Sequence, residues 1–311
     1  MTGGSRLHFC DRLAALVEER RSRVVLGLDP DPASLWPEAL ERFGSGTGRG
    51  RFARANTAEA VVEHCRAAIV SAGPACVAVK LQLACFERLG APGWEALEQT
   101  VAIARDHGLL VIADGKRGDV PVTARAYAQA LVGETPGPFG PVAGLSADAF
   151  TANPLLGRDS LEPLIEASVA AGAGCFLLVR TSNPGAAELQ DEGEPPLHER
   201  LARLADELGA ERTGSCGLSM VGAVTGATQP ELLARLRELM PRAVFLLPGV
   251  GAQGGRVEDL GAAFAPHPAA GLVTASRSIV NAHAERGGDP ATAAAAAAEE
   301  LRMAVSSLGG H

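Results

Sequence analysis

Two carboxylates and an ammonium fall within six residues in Asp114-Gly-Lys-Arg-Gly-Asp119. The apolar run at 109–113 precedes them and reads as a buried strand with glycine on both sides. Side chains alternate along a strand, so Asp114 and Lys116 point the same way. Charges at the end of a buried strand are costly unless they offset one another or are used. The plain alternative is a solvated strand-to-helix loop with an incidental ion pair. Two more charges stand at the ends of the preceding strands: Asp29 after 24–28 and Lys80 closing 76–80. Closely spaced alternating charges hold each other ionised, because each neighbour offsets the desolvation of the last. A lysine fixed in this way suits general acid work on a developing carbanion. A carboxylate fixed in this way repels a carboxylate on a substrate.

A second group of residues suits an anion. Pro248-Gly-Val-Gly-Ala-Gln-Gly-Gly255 contains four glycines, including Gly254 and Gly255, whose N–H groups can approach a phosphate closely. Gln253 sits among them, and Ser276-Arg277 follow a later apolar run. A guanidinium clamps phosphate through two parallel hydrogen bonds. The competing reading is a flexible turn beside a surface arginine.

These groups need a scaffold that brings distant strand ends together. Eight strand candidates begin near 24, 76, 109, 145, 174, 217, 243 and 271, with helical patterns between them. That alternation predicts one α/β domain over 1–311, a (β/α)8 TIM barrel, whose active site lies at the C-terminal ends of the strands. A doubly wound open sheet is the alternative, but no G-x-G-x-x-G follows the first strand. Asp29, Lys80, Asp114, Lys116, Thr151, Asn153, Thr181, Ser182, Thr228, Gln253 and Arg277 all fall at or just beyond strand ends. Residues 8–20 read as a covering helix, and 44–54, Gly-rich and basic, as a flexible insertion without a fold of its own. Helices are expected over 57–71, 94–107, 122–131, 198–208 and 230–240, with a Pro/Gly loop at 133–144. Ser160 is expected as an N-cap with Pro163 in the first turn. The Ala-rich stretch 290–308 reads as a final helix.

Composition narrows the class. The chain has 311 residues, 47% of them apolar, with 28 basic against 36 acidic residues and a net charge of −8. No basic cluster suits a nucleic acid. No apolar run reaches the roughly 18 residues of a membrane span, and residues 1–10 lack a signal-peptide core. Six cysteines without a C-x-x-C pair suit a reduced, cytoplasmic setting. The seven histidines stand singly, so no metal site is expected; His64 and His107 read as ordinary helix residues. No G-x-S-x-G suggests acyl chemistry. The residues alone point to a lyase or aldolase-like enzyme for a phosphorylated small molecule.

The motifs together resemble the orotidine 5′-phosphate decarboxylase family, its bacterial type 2 branch in particular. The matching stretches are Leu26-Gly-Leu-Asp-Pro-Asp31, Lys80-Leu-Gln82 with Phe86-Glu87, Asp114 to Asp119, and Thr151-Ala-Asn-Pro154 with Gly157 and Asp159-Ser160. Arg180-Thr-Ser-Asn-Pro-Gly185, the 248–255 loop and Ser276-Arg277 complete them. Three positions depart from the family pattern: Val79 for an aromatic residue, Leu81 for proline and Leu155 for tyrosine.

The resemblance implies decarboxylation of orotidine 5′-phosphate to UMP in pyrimidine biosynthesis, without metal or organic cofactor. It implies Lys116 as proton donor to C6, Asp114 against the scissile carboxylate, and Lys80 in the charge array. Asp29 would bond the ribose, and Asp119 would reach the neighbouring subunit's site in a homodimer. Asn153 would join the substrate contacts, Thr181 and Ser182 would read the pyrimidine edge, and Gln253, Gly254, Gly255, Ser276 and Arg277 would hold the phosphate. Three rivals stay in view: a Mg-dependent sugar-phosphate enzyme of the same superfamily, a Schiff-base aldolase and a catalytically silent UMP-binding protein.

Overall fold

The computed structural model describes residues 7–41, 51–251 and 253–309. Eight parallel strands close into a barrel: β1 (Val24–Leu28), β2 (Ala78–Gln82), β3 (Leu110–Arg117), β4 (Ala149–Ala152), β5 (Gly174–Arg180), β6 (Ser219–Thr225), β7 (Ala243–Pro248) and β8 (Gly271–Ala275). Each pairs with its sequence neighbours, and β8 returns to β1 through Val24↔Val273. Helices cover the outside, so the strands are buried on both faces and read as continuous apolar runs. Every residue of β1, β4, β6 and β8 is buried.

Two apolar clusters follow from this geometry. One lies between barrel and helices and includes Leu26, Val61, Leu97, Val111, Leu164 and Phe245. The other fills the lumen with Val25, Ala78, Ile112, Ala149, Phe176, Leu246 and Leu272, and α1 (Phe9–Arg20) plugs its lower end with Phe9, Leu13 and Val17. Phe9 meets Phe176 edge on, with ring centroids 5.9 Å apart. Only glycine fits at 174, where a Cβ would lie 2.6 Å from the Phe9 ring.

The buried guanidinium of Arg237, on the helix Pro230–Leu239, donates to the carbonyls of Met240, Ala243, Ala263 and Ala270. These residues lie at the N-terminal roots of β7 and β8.

The expected covering helix and the Ala-rich helix are present as α1 and Pro290–Ser306. Three local expectations change. Residues 44–50 of the proposed insertion lie outside the described residues, whereas 51–54 open the long helix α2, Arg51–Ala72. The Ala and Arg residues there extend the helix upstream, and Thr57 Oγ1 donates to Ala53 O within it. The loop at 133–144 contains a short antiparallel pair, Glu134–Thr135 with Val142–Ala143. The helix Arg158–Ala171 begins at Gly157, not Ser160; Ser160 lies inside it and donates to Gly157 O, and Pro163 falls a turn later than expected.

Candidate active site

The C-terminal mouth of the barrel holds a cavity of about 550 Å³. One wall is charged. Lys80 Nζ lies 2.6 Å from Asp114 Oδ2, Lys116 Nζ lies 2.7 Å from Asp114 Oδ1, and Asp29 Oδ1 lies 3.8 Å from Lys80 Nζ. The cavity thus carries the sequence Asp29, Lys80, Asp114, Lys116 in alternating sign.

Register explains the placement. Lys80 pairs with Gly27 on one side and Ile112 on the other, while Gln82 pairs with Asp114. Lys80 and Asp114 are therefore one layer apart on neighbouring strands, both facing inward. Beyond Ala113, β3 falls out of register with β4: Ala113 pairs with Phe150 but Arg117 with Ala152. The extra residues form an irregularity of the kind that re-aims side chains at barrel rims. Lys116 sits inside it at φ +48°, a left-handed conformation that a side chain rarely adopts. Its N–H donates to Thr151 Oγ1 at 2.9 Å, and the Thr151 hydroxyl donates to Asp114 Oδ1 at 2.8 Å.

Asp114 receives four bonds, from Lys80, Lys116, Thr151 and the Gln82 amide. Burial pushes its pKa up, but the two ammonium groups outweigh burial and hold it well below the usual carboxylate range. Burial likewise opposes the charge on Lys80, and Asp114 with Asp29 reverses that effect and raises its pKa. Lys116 is the open end of the array: its side chain is 42% exposed, against 8% for Lys80.

The floor is aliphatic, formed by Leu178, Val224 and Leu246 from β5, β6 and β7. Thr181 and Ser182 line the next wall. The Thr181 hydroxyl donates to Asn183 Oδ1 at 2.7 Å and accepts from Gln190 Nε2 at 3.0 Å, so it is oriented by its own loop. Arg180 grips Asp191 through Nε and Nη2 at 2.7 and 2.9 Å, closing the base of that loop. Gln253, Ser276 and Arg277 line the far wall. Ser276 packs on Gly27, where a Cβ would lie 1.8 Å from Ser276 Oγ, so glycine in β1 is what lets β8 end there.

The structure therefore brings together Asp29, Lys80, Asp114, Lys116, Thr181, Ser182, Gln253, Ser276 and Arg277. It does not bring in four of the expected residues. Asn153 Oδ1 accepts from Leu155 N–H in its own turn. Asp119 Oδ1 accepts from Val120 N–H, away from the cavity lining. Gly254 and Gly255 donate their N–H groups to Gly251 O and Gly249 O, and Gly251 N–H goes to Gly255 O. These three N–H groups are spent within the loop, and the side chains of Gln253 and Arg277 are donors that line the cavity.

Sequence reasoning did not single out Thr151 and Gln82 as partners of Asp114. The available signal was a polar residue ending its strand beside a charged neighbour. Among the described residues, no cluster of three or more His, Cys, Asp or Glu side chains suits a metal ion, and no helix is long and apolar enough to cross a membrane.

A closed (β/α)8 barrel whose mouth sets a Lys–Asp–Lys array and an arginine-bearing wall around one cavity has the layout of a barrel enzyme's active site. Comparison makes the class specific. The model of the orotidine 5′-phosphate decarboxylase / HUMPS family matches residues 22–297, and the chain belongs to that family. It is 40% identical over 278 residues to the orotidine 5′-phosphate decarboxylase of Rhodopirellula baltica, covering 88% of this chain and 89% of that one. It is 43% identical over 281 residues to that of Haloarcula marismortui, covering 88% and 87%. The solved OMP decarboxylase of Leishmania donovani superposes with a TM-score of 0.71 at 30% identity, covering 97% of this chain and 99% of the other.

Proposed function

We propose that this chain decarboxylates orotidine 5′-phosphate to UMP without a metal, with Lys116 as the proton donor. The observation that carries the reading is Asp114 held between Lys80 and Lys116 inside the cavity.

Arg277 and Gln253 hold the phosphate, and Ser182 faces the pyrimidine across the aliphatic floor. The substrate carboxylate is then forced against Asp114, a carboxylate that its two lysines keep charged. The C6–carboxylate bond breaks, its electron pair stays on C6, and CO2 departs. The Lys116 ammonium delivers a proton to C6 and afterwards regains one from water. Phosphate binding remote from C6 supplies free energy to hold the carboxylate in that place. A magnesium-dependent relative would need an acidic ligand at the place on β2 where Lys80 puts an ammonium, 2.6 Å from Asp114.

Asp119 acts across a homodimer in this reading. It stands next to exposed Val120 and Val122, and the facing turn after β4 exposes Leu155 and Leu156. The two segments touch: a Cβ at Gly118 would lie 2.7 Å from Asn153 O. An apolar rim at this place suits a second copy of the chain. The bacterial type 2 placement rests on the motifs quoted above.

The deciding experiment adds EDTA-treated protein to orotidine 5′-phosphate and follows substrate absorbance. Loss of absorbance with formation of UMP supports the reading. An unchanged spectrum at micromolar protein rejects it, and dependence on added magnesium favours the rival sugar-phosphate enzyme.

A further inference from the structure

A second cavity, of about 210 Å³, adjoins the first and shares Asp29, Ser276 and Arg277 with it. Its wall includes His64, from the middle of α2. His64 is 4% exposed, and its Nδ1 accepts the backbone N–H of Trp36 at 3.1 Å. That bond fixes the neutral tautomer, with the ring proton on Nε2. Trp36 lies in the loop after Asp29 and is buried against two imidazoles, His64 at 5.3 Å and His283 at 6.4 Å between ring centroids. Its indole Nε1–H donates to Val280 O at 3.0 Å.

Val280 is the last residue of a four-residue helix, α3 (Arg277–Val280), and Arg277 is the first. One helical turn has no stability of its own, because nucleation costs more than a single turn returns. The direction of α3, and so of the guanidinium that opens it, is set from outside. The indole bond holds its far end, and buried Ile279 seats its middle. His64 fixes the backbone of the residue that makes the indole bond.

We propose that Trp36 and His64 are positioning residues that hold α3 so that Arg277 meets the ligand's phosphate. The inference rests on the proposed reading only in taking the anionic end of the ligand to be a phosphate gripped by Arg277. Neither residue touches the reacting atoms. Their effect is confined to the part of the affinity that the phosphate contributes. The same loop begins at Asp29, so one buried anchor serves both an end of the charged wall and the far wall that carries Arg277.

The test compares UMP with uridine, which lacks the phosphate. Trp36→Phe keeps an aromatic ring and removes the indole donor. Loss of one buried hydrogen bond predicts UMP binding weaker by about five- to tenfold, with uridine binding unchanged. With orotidine 5′-phosphate, KM rises and kcat is retained. His64→Leu reproduces the effect, and His64→Asn, whose amide oxygen restores an acceptor near Nδ1, recovers most of the affinity. Unchanged UMP affinity in Trp36→Phe overturns the proposal. Equal weakening of UMP and uridine also overturns it, because that is the result of general loosening. If the wild type shows the UMP–uridine contrast but does not decarboxylate, the functional reading fails and this one stands.

Discussion

Lys116 Nζ contacts Asp114 Oδ1 at 2.7 Å while the Lys116 backbone is held at φ +48°. The strained backbone persists because Thr151 accepts its N–H and the Asp114 carboxylate holds its ammonium. Strain kept in place by surrounding contacts is a mark of functional positions. Lys116→Ala is expected to lower kcat by at least about 10³-fold, while far-ultraviolet circular dichroism stays that of the wild type. Activity within tenfold of wild type in a folded variant rejects Lys116 as proton donor.

Asp114 has a structural burden besides its chemical one. Its removal leaves Lys80 buried with only Asp29, 3.8 Å away, as a counter-charge. Stranding a buried charge costs about 3–5 kcal/mol. Asp114→Ala is therefore expected to lose both activity and stability, measured by urea unfolding. Adding Lys80→Met should restore much of the stability and none of the activity. An Asp114→Ala chain as stable as wild type would show that the array is not a coupled unit.

Arg277 binds the phosphate in ground and transition states alike in the proposed reading. Arg277→Ala should raise KM for orotidine 5′-phosphate strongly and lower kcat less. A large fall in kcat with KM unchanged would place Arg277 nearer the chemistry than the wall it lines.

The dimer reading is open to complementation. Lys116→Ala and Asp119→Ala chains are each expected to be inactive alone. Mixed dimers regain one intact site, so random re-assortment should return about a quarter of wild-type activity. No recovery after mixing and subunit exchange would show that Asp119 serves its own chain.

His64 gives the fold a pH dependence. Burial and the nearby His283 push its pKa down to about 4. The unfolded chain takes up this proton near pH 6.5. Between those values the unfolded state carries the extra proton, so stability falls as pH falls. The gap corresponds to about 3 kcal/mol lost from pH 6.5 to 4. His64→Asn should flatten that part of the curve of unfolding free energy against pH. Asp114 adds its own loss at more acid pH, because its unfolded carboxyl takes up a proton only at about pH 4 and its folded one at lower pH still. An unaltered curve in His64→Asn would place the titrating group elsewhere.

The barrel and most of its mouth were legible because apolar runs and polar strand ends carry a period of their own. Asp29 and Arg277 follow their strands, whereas Lys80, Asp114 and Lys116 lie inside β2 and β3, which run on past the apolar stretches to Gln82 and Arg117; closure of the barrel brings all five to one cavity. What sequence did not disclose depends on contacts between strands or on backbone conformation. The Gln82 bond to Asp114 depends on the register of β2 with β3, and the Thr151 bond on the place where β3 falls out of register with β4. The glycines at 251, 254 and 255 suggest free N–H groups by composition, yet the folded loop spends those groups on its own carbonyls. His64 looked like any helix residue, because its partner Trp36 lies 28 positions away in a loop without regular structure.

The four carbonyls gathered by Arg237 lie at the end of the barrel opposite the cavity. They fasten the seventh and eighth strands to a single cation, so the two strands share a root. The loop holding Gln253 and the turn holding Arg277 are thus two prongs on one handle, and the handle fixes the roots from which both extend.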